Sequence, residues 1–526
     1  MQHLWSLIER AARLHPETVG FVEGERRETY ATHAARARAL ASFVRSAGAG
    51  EGERVSALLW NGIDYASVYF AAAGAGAILN PLNTRLSAQE FAAIARDCES
   101  RLLITDSSFA PQVTAALAAG APWRVIVWTD RLVETSVTGI TLQEALRQGE
   151  QKPFVCSTRG GDDTAHLYYT SGTTGVPKGV MLTHANVLAH SLGAIAELSL
   201  TDRDRWAHIA AMFHLADAWA TFAFTWVGAT HLFLPRFEAR AALDLLEQER
   251  ATITNLIPTM LNAMTRDESA RGRNWEALRA VLSGGAPIAP ALVAEIVAVY
   301  GCEYVNTYGM TETSPYLTMS LLAQHHRALP LDQQLALRAK TGRPYATVEL
   351  QVCREDGTAV RADEVEVGEI RVRGSTVMKG YWNKPEETAR VFAHGWLKTG
   401  DLAVVDSEGY VTIVDRAKDM ILSGGENVYS TEVEHALAAH PAVLECAVYG
   451  VPDAHLGEAV RAAVVLRAGR TATESELVEW VKARIARYKA PKVLEFLEAL
   501  PRTGSGKIQK AVLREPHWAG RTRQVN

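Results

Sequence analysis

The segment from Tyr169 to Val180, YTSGTTGVPKGV, combines glycines, hydroxyl side chains and a lysine within a few residues. Glycine lets backbone N–H groups point at a ligand without interference from Cβ, hydroxyl groups add donors, and Lys178 adds positive charge. These properties are typical of a phosphate-binding loop. The segment is not a Walker A loop, because Lys178 follows Pro177 and no serine or threonine follows it. The candidate phosphate ligands are Thr170, Ser171, Gly172, Thr173, Thr174 and Lys178.

Further motifs follow this loop along the chain. They are NTYGMTET (306–313), KTGD (398–401), DRAKDMILSGGENVYSTEVE (415–434) and PRTGSGKI (501–508), with MFHLADAW (212–219) and SGGAP (283–287) as looser matches. In type and in order they resemble the motifs of the adenylate-forming (ANL) superfamily, which includes acyl-CoA synthetases, aryl-CoA ligases, luciferases and peptide-synthetase adenylation domains. The resemblance covers essentially the whole chain.

The resemblance implies an AMP-forming acyl-CoA synthetase or aryl-CoA ligase. In that reaction a carboxylate attacks the α-phosphate of ATP, giving an acyl-adenylate and pyrophosphate, and the thiol of coenzyme A then displaces AMP. The implied cofactors are ATP, Mg²⁺ and coenzyme A. Because the first half-reaction brings an anion up to a polyanion, positive charge must lie between them. The segment around SGGENVYSTEVE resembles ligases of fatty and aromatic acids, so a medium- or long-chain fatty acid or an aromatic acid is expected.

The same resemblance assigns roles to single residues. Lys178 and the loop hydroxyls would hold the departing phosphates, Thr170 and Glu312 would bind Mg²⁺, and Lys507 would bridge the carboxylate and the α-phosphate. Asp401 would bind both ribose hydroxyls, with Arg416 beside it. The remaining nucleotide contacts would come from Gly284, Gly285, Ala286, Asn306, Thr307, Tyr308 and Thr311, with Tyr308 stacked on the adenine.

A second set of implied roles concerns the thioester half-reaction. Lys418 would be a hinge about which the C-terminal part rotates, removing Lys507 from the active site. The turn with Gly424 and Gly425 would then line a narrow channel for the pantetheine arm, because glycine permits close backbone approach. His214 would lie between the acid pocket and this channel.

The residues of the acid pocket are the least defined by sequence. Amino-acid-activating relatives carry Phe-Asp where this chain has Phe213-His214, which disfavours an amino-acid substrate. Asp217 lies nearby and keeps that alternative open. Trp219 and Met310 are apolar enough to contact an acyl or aryl chain, and either could equally belong to the core.

Secondary-structure patterns predict an α/β protein. Short apolar strands such as RVSALLW, RLLITD and WRVIVWT alternate with amphipathic helices such as LSAQEFAAIARDC, which indicates largely parallel sheets. After about residue 340 the pattern changes to antiparallel strands, and beyond Arg416 it becomes helix, strand, strand, helix. We therefore predict an N-terminal adenylation domain of layered sheets and helices (1–415) and a small mobile α+β C-terminal domain (416–526).

Composition limits the remaining classes of function. A chain of 526 residues is too long for one core, and its net charge of -5 argues against binding nucleic acid by bulk charge. Five scattered cysteines suggest neither a disulfide framework nor a zinc site and fit a reducing cytoplasm. The uncharged run 65–84 contains glycines and Pro81, so a buried helix followed by a strand is expected instead of a membrane span. The oligomeric state stays open, with a homodimer as one candidate.

Two alternative functions remain from the sequence. The enzyme could load a carrier protein instead of coenzyme A, although no carrier domain follows Lys507 before the chain ends at Asn526. A non-catalytic nucleotide-binding homologue would be expected to lack a charged motif residue. Lys178, Glu312, Asp401, Arg416 and Lys507 are all present.

Overall fold

The computed structural model describes residues 3–170, 177–285, 288, 290–502 and 508–519. The strands of this part of the chain are β1 (Val19–Glu23), β2 (Arg26–Thr29), β3 (Arg54–Leu58), β4 (Ile78–Pro81), β5 (Leu102–Thr105), β6 (Val125–Trp128), β7 (Thr138–Thr141), β8 (Thr164–Thr170), β9 (Lys178–Thr183), β10 (Arg205–His208), β11 (Thr230–Phe233), β12 (Ile253–Asn255), β13 (Ala280–Gly284), β14 (Glu303–Gly309), β15 (Tyr316–Met319), β16 (Arg343–Pro344), β17 (Val348–Cys353), β18 (Gly368–Gly374), β19 (Gly380–Tyr381), β20 (Phe392–Ala393), β21 (Trp396–Val405), β22 (Val411–Arg416), β23 (Ile421–Ser423), β24 (Glu426–Val428), β25 (Val443–Asp453), β26 (Gly457–Leu466) and β27 (Val493–Phe496).

The helices alternate with the strands through the first two thirds of the chain. They are α1 (Trp5–Leu14), α2 (Tyr30–Ser46), α3 (Ile63–Ala75), α4 (Ala88–Asp97), α5 (Ala110–Ala118), α6 (Leu142–Glu150), α7 (His184–Glu197), α8 (Leu215–Val227), α9 (Ala239–Gln248), α10 (Pro258–Arg266), α11 (Pro290–Tyr300), α12 (Leu331–Ala339), α13 (Pro385–Val391), α14 (Ser430–Ala438), α15 (Glu474–Lys482) and α16 (Lys510–Trp518).

Two large sheets carry the predicted nucleotide motifs. One has the strand order β16-β15-β14-β13-β12-β10-β11-β1-β2, and the other has the order β19-β9-β8-β4-β3-β5-β6-β7. Their central strands pair in parallel, as β12 with β13 and β3 with β5 show. Parallel strands are covered by helices on their faces, which explains their uninterrupted apolar sequences. The predicted α/β class is confirmed.

Two smaller sheets follow. β17, β18, β21 and β20 form one path with β22 paired to β21, and β24, β23, β26 and β25 form another with β27 paired to β26. The order α14, β25, β26, α15 is the helix, strand, strand, helix order expected beyond Arg416. The hairpin of β23 and β24, which carries the SGGEN turn, precedes it.

The chain divides into two compact units. The large unit comprises Met1–Glu349 and Val372–Leu397, and the small unit comprises Leu350–Arg371 and Lys398–Asn526. These units are defined by packing. The predicted domain boundary between residues 415 and 416 concerns instead the part of the chain that is expected to rotate, and this boundary stays a prediction. A main core of the large unit lies around Leu243, Val281 and Ile296, and that of the small unit around Val433, Val448 and Val464.

The uncharged run 65–84 forms the buried end of α3 followed by β4, as expected. Left-handed Gly76 ends α3, with a φ of 77° that favours glycine. Among the described residues, no helix combines the length and apolar character needed to cross a membrane.

Candidate active site

A β-hairpin holds both ends of the predicted phosphate loop. Thr170 is the last residue of β8, Lys178 is the first residue of β9, and the two residues are register partners. The loop residues Ser171, Gly172, Thr173 and Thr174 lie outside the described residues. The hairpin therefore places two predicted ligands, a threonine and a lysine, on neighbouring strand ends.

The side chain of Lys178 contacts two residues of the segment that follows β18. Its Nζ forms an ion pair with the carboxylate of Glu387 on α13, and it lies 5.3 Å from the centre of the Tyr381 ring. Lys178 is largely shielded, with 18 % of its side chain exposed. Sequence reasoning missed Glu387 and Tyr381. The acidic start of α13, PEE, is evident in the sequence, but nothing local connects it to a lysine two hundred residues earlier.

Tyr381 also holds the predicted metal ligand. Its hydroxyl donates to Oε1 of buried Glu312 over 2.9 Å, and the Glu312 carbonyl accepts from the backbone N–H of Met378 over 2.8 Å. Burial, followed by the charge of Glu312, raises the pKa of Tyr381, so the phenol remains a donor. A single side chain thus touches both Lys178 and Glu312, which places the lysine and the carboxylate on one side of the large unit.

The predicted adenine-binding residues lie where β13 and β14 end. Gly284 pairs with Thr307, and a Cβ on Gly284 would stand 2.3 Å from the Thr307 carbonyl oxygen, so only glycine fits. Gly285 has a φ of +81°, and Ala286 lies outside the described residues. Half-buried Tyr308 follows Thr307 on β14, and Thr311 begins the short turn that carries Glu312.

One residue of this group is held by the fold. The side-chain amide of Asn306 donates to the Lys340 carbonyl over 3.0 Å, and its backbone N–H donates to Ser320 Oγ over 2.7 Å. These bonds give Asn306 a structural role at this edge of the sheet, and its predicted nucleotide contact stays a prediction.

His214 caps the N-terminus of α8. It is half-buried, and its carbonyl accepts from the N–H groups of Asp217 and Ala218 at 3.1 and 3.0 Å. Asp217 is fully buried, and its two oxygens bond to His208 Nδ1 at 2.5 Å and Trp206 Nε1 at 3.2 Å. The carboxylate of Asp217 is therefore committed to the interior of the large unit.

The bonds of Asp217 continue through a chain of buried side chains. His208 Nε2 lies 3.0 Å from His231 Nδ1, and His231 Nε2 lies 3.0 Å from Thr225 Oγ1. Burial lowers the pKa of His231, so its ring remains neutral near pH 7. This network spans β10, β11 and α8 and fixes the helix that begins after His214.

Buried aromatic side chains connect α8 to the strand after Glu312. Trp219 Nε1 donates to the Tyr316 hydroxyl over 3.0 Å, and only 1 % of Trp219 and 3 % of Tyr316 are exposed. The rings of His190 and Tyr345 pack against this pair. Met310 is half-buried just before the Glu312 turn. Of the predicted acid-pocket residues, Trp219 thus contacts Tyr316 directly, and Met310 follows Gly309, which pairs with Tyr316.

The ribose-binding candidates lie together in the small unit. Asp401 on β21 and Arg416 on β22 are register partners, and Arg416 Nε lies 3.1 Å from Asp401 Oδ1. Asp401 is buried, while 51 % of the Arg416 side chain is exposed. The guanidinium is thus the exposed member of this pair, and the carboxylate is the buried one.

The predicted hinge and glycine turn come next in the small unit. Lys418 stands between β22 and β23, burial lowers its pKa, and its carbonyl accepts from Arg514 over 3.3 Å. Gly424 and Gly425 form the turn of the next hairpin with φ values of 63° and 85°, which favour glycine. Lys507 lies outside the described residues.

A buried network at the end of β22 was not predicted from the sequence. Asp415 accepts from the N–H of Ser430 and from its hydroxyl, the latter over 2.9 Å. Lys510 Nζ donates to Ser430 Oγ over 2.6 Å and pairs with Glu434 at 2.7 Å. The network ties the residue before Arg416 to α14 and to the start of α16.

Comparison with known proteins gives consistent matches over the whole chain. The family model "AMP-binding enzyme" matches residues 8–382, and "AMP-binding enzyme C-terminal domain" matches residues 432–507. A feruloyl-CoA synthase from Amycolatopsis sp is 38% identical over 98% of this chain and 99% of its own length. The long-chain-fatty-acid–CoA ligase FadD13 of Mycobacterium tuberculosis is 34% identical over 99% of both chains.

Solved structures agree with these matches. The o-succinylbenzoate CoA synthetase of Bacillus subtilis, in complex with its acyl-adenylate, has a TM-score of 0.83 and 30% identity and covers 97% of this chain and 98% of its own. An anthranilate CoA ligase bound to anthranoyl-AMP has a TM-score of 0.85 and 26% identity and covers 98% and 97%.

Proposed function

Because the chain belongs to the AMP-binding enzyme family, we propose that it joins an aromatic carboxylic acid to coenzyme A through an acyl-adenylate. The predicted family and the predicted reaction class, an AMP-forming acid–thiol ligase, are confirmed. The acid, the thiol and the roles of single residues form the proposal.

The buried pair of Trp219 and Tyr316 supports an aromatic acid. Trp219 extends from the helix that follows His214, and Tyr316 extends from the strand that follows Glu312, so their contact lies between the two predicted acid-binding segments. If the acid enters between these segments, large rings at this position would limit its length, and aromatic side chains are favourable packing partners for an aryl ring. On this proposal, a long alkyl chain would need the space that the two rings fill.

The bonds of Asp217 support the exclusion of amino acids. A substrate ammonium needs a carboxylate that faces it, and both oxygens of Asp217 are already bonded to His208 and Trp206. Drawing this buried group toward a substrate would leave those two donors unpaired, at a cost of about 1–3 kcal/mol each. The alternative that Asp217 kept open is therefore disfavoured.

The geometry around Tyr381 supports the first half-reaction. Lys178 would hold the outer phosphates of ATP, which leave as pyrophosphate. Thr170 and buried Glu312 are a hydroxyl and a carboxylate, the oxygen donors that Mg²⁺ prefers, and would hold that ion. When bound, Mg²⁺ would neutralise phosphate charge. Lys507 would lie between the acid carboxylate and the α-phosphate and reduce their repulsion.

The small unit would serve the ribose and the thiol. Asp401 would accept from the ribose hydroxyls while Arg416 stays paired to it. In the second half-reaction, rotation about Lys418 would bring the turn of Gly424 and Gly425 beside the pantetheine arm, and His214 would stand near the acyl carbonyl. Free coenzyme A is the proposed acceptor.

A substrate screen tests the proposal. Pyrophosphate release and thioester formation are measured with cinnamate-type acids, benzoates, octanoate, palmitate and amino acids, using coenzyme A as the thiol. We expect kcat/KM for the best aromatic acid to exceed that for palmitate by about tenfold or more, the scale of discrimination by pocket shape. A preference for palmitate would overturn the aromatic assignment, and adenylate formation without thioester would overturn coenzyme A as the acceptor.

The Tyr316→Ala variant tests whether the buried Trp219–Tyr316 pair determines the preference for an aromatic acid. Removing this ring should raise kcat/KM for octanoate relative to the best aromatic acid, because the space behind the pocket lengthens. Tyr345→Phe, which keeps the ring that packs on His190, should preserve the wild-type order of acids. An unchanged order in Tyr316→Ala would mean that the Trp219–Tyr316 pair does not limit the substrate.

A further inference from the structure

The ion pair between Lys178 and Glu387 brings an anion to the predicted phosphate site. Glu387 belongs to α13, and the carboxylate lies against the ammonium with 29 % of its side chain exposed. Lys178 lowers the pKa of Glu387, so this carboxylate is ionised at neutral pH. The site that must bind and then release polyphosphate therefore contains a fixed negative charge.

Local bonds fix the position of Glu387. The backbone N–H of Tyr381 donates to Thr388 Oγ1 over 2.9 Å, and Thr388 Oγ1 donates to the Lys384 carbonyl over 2.9 Å. These bonds attach α13 to β19, and β19 pairs with β9, the strand of Lys178. Glu387 on α13 and Lys178 on β9 thus belong to elements that hydrogen bonds connect through β19.

A lysine ammonium has three donors and can contact Glu387 and a phosphate together, but the two anions repel each other. We propose that Glu387 is a positioning residue that holds Lys178 and weakens its hold on the outer phosphates, so that pyrophosphate leaves readily. The inference rests on the proposed role of Lys178. Since adenylate formation reverses when pyrophosphate attacks the acyl-adenylate, easier departure favours the forward reaction.

The segment that carries Glu387 offers a matched control. Glu386 has the same charge and lies one position earlier in α13, but its side chain is 88 % exposed and its charge partner is Arg390 at 3.9 Å. Glu386→Gln changes the net charge as Glu387→Gln does and leaves the Lys178 contact in place. Glu387→Asp keeps the charge on a shorter side chain.

The experiment measures inhibition of thioester formation by added inorganic pyrophosphate, with the best acid from the screen. We expect pyrophosphate to inhibit Glu387→Gln at about fivefold lower concentration than wild type, the scale of a partly exposed charge contact. Glu386→Gln should match wild type, and Glu387→Asp should lie near it. In a Lys178→Met background, Glu387→Gln should have no further effect, because the carboxylate acts through the lysine.

Three results would overturn the inference. Weaker or unchanged inhibition of Glu387→Gln would mean that Glu387 helps Lys178 bind phosphate or does not act on it. Equal sensitivity of the Glu386 variant would indicate net charge alone. An effect that persists in Lys178→Met would mean that Glu387 acts by another route. Because the assay uses whichever acid works best, failure of the aromatic assignment in the screen leaves this test unaffected.

Discussion

Lys178 in the large unit and Lys510 in the small unit are both shielded lysines paired with glutamate, yet their surroundings differ. Lys178 faces Glu387, a partly exposed carboxylate on a short helix, and the face of the Tyr381 ring. Lys510 faces Glu434, which also accepts from the Val448 N–H over 2.8 Å, and Ser430, which is bonded to buried Asp415.

From this difference we infer that Lys510 stabilises the fold, whereas Lys178 is suited to its proposed role in the reaction. Each group around Lys510 has two or more partners, so moving the ammonium would leave several buried groups unpaired. In its proposed role, the ammonium of Lys178 would gain a phosphate while it keeps its contacts with Glu387 and Tyr381. For a charged residue inside a motif, the bonds that its partners make to other groups therefore help to distinguish a structural role from a functional one.

The largest effect that would test this comparison is expected from Lys510→Met. The substitution leaves Glu434 and Asp415 without their cation, and breaking a buried ion pair from one side costs about 3–5 kcal/mol. Urea denaturation of the full chain measures the change in free energy of unfolding. Lys482→Met removes an exposed pair with Glu479 and should cost less than about 1 kcal/mol. Equal costs for the two variants would remove the distinction.

Lys507→Ala sharpens the comparison between two lysines three positions apart. If Lys507 is available for chemistry, its loss should slow adenylate formation about a hundredfold or more, the effect of losing one preorganised electrostatic group. Thioester formation from synthetic acyl-adenylate and coenzyme A should proceed near the normal rate, because the anhydride already exists. Loss of both half-reactions would place Lys507 with Lys510 among residues that serve the fold.

Asp401→Ala tests a residue between these extremes, since Asp401 is buried but its partner Arg416 is half exposed. Removing the acceptor for the ribose hydroxyls should weaken ATP binding by about 1–3 kcal/mol. Calorimetry with ATP measures this change, and affinity for the acid should stay similar. Unchanged ATP affinity would mean that the Asp401–Arg416 pair is structural.

The fold could be predicted from the sequence because its signals are local. The run RVSALLW contains β3, and the alternation of such runs with amphipathic helices is typical of parallel sheets covered by helices. The glycine turn at Gly424 and Gly425 was equally local, since both residues need positive φ. The order of the motifs along the chain identified the family, because the motifs match those of the family in residue type and follow one another in the same order.

The connections between distant charges could not be predicted. Glu387 meets Lys178 only because β19 pairs with β9. Lys510 meets Ser430, and through it Asp415, only because α16 returns to α14. Asp217 was considered for substrate binding because it follows His214 closely, whereas helix geometry turns its carboxylate toward His208. Sequence spacing gives the neighbours along a helix, but tertiary packing decides which side chains they face.

The smallest expected effect concerns the pH dependence of the network that holds Lys510. Burial raises the pKa of Asp415 to about 6, against the lowering effects of Lys510 and of the hydrogen bonds from Arg416 and Ser430. This value exceeds that of an unfolded carboxyl group, so the folded protein binds the proton more tightly, and the resulting stability is lost as pH rises through 6. Asp415→Asn cannot titrate, so wild type should lose about 1 kcal/mol relative to this variant between pH 5 and pH 7. Urea denaturation at both pH values measures the difference.

In the control Asp453→Asn, the pKa of the native carboxyl is lowered by backbone N–H groups of Leu456 and His455, so its difference from wild type should stay constant over this range. A constant difference for Asp415→Asn as well would mean that the Asp415 carboxylate remains ionised beside Lys510, and that the network is an ion pair throughout this range.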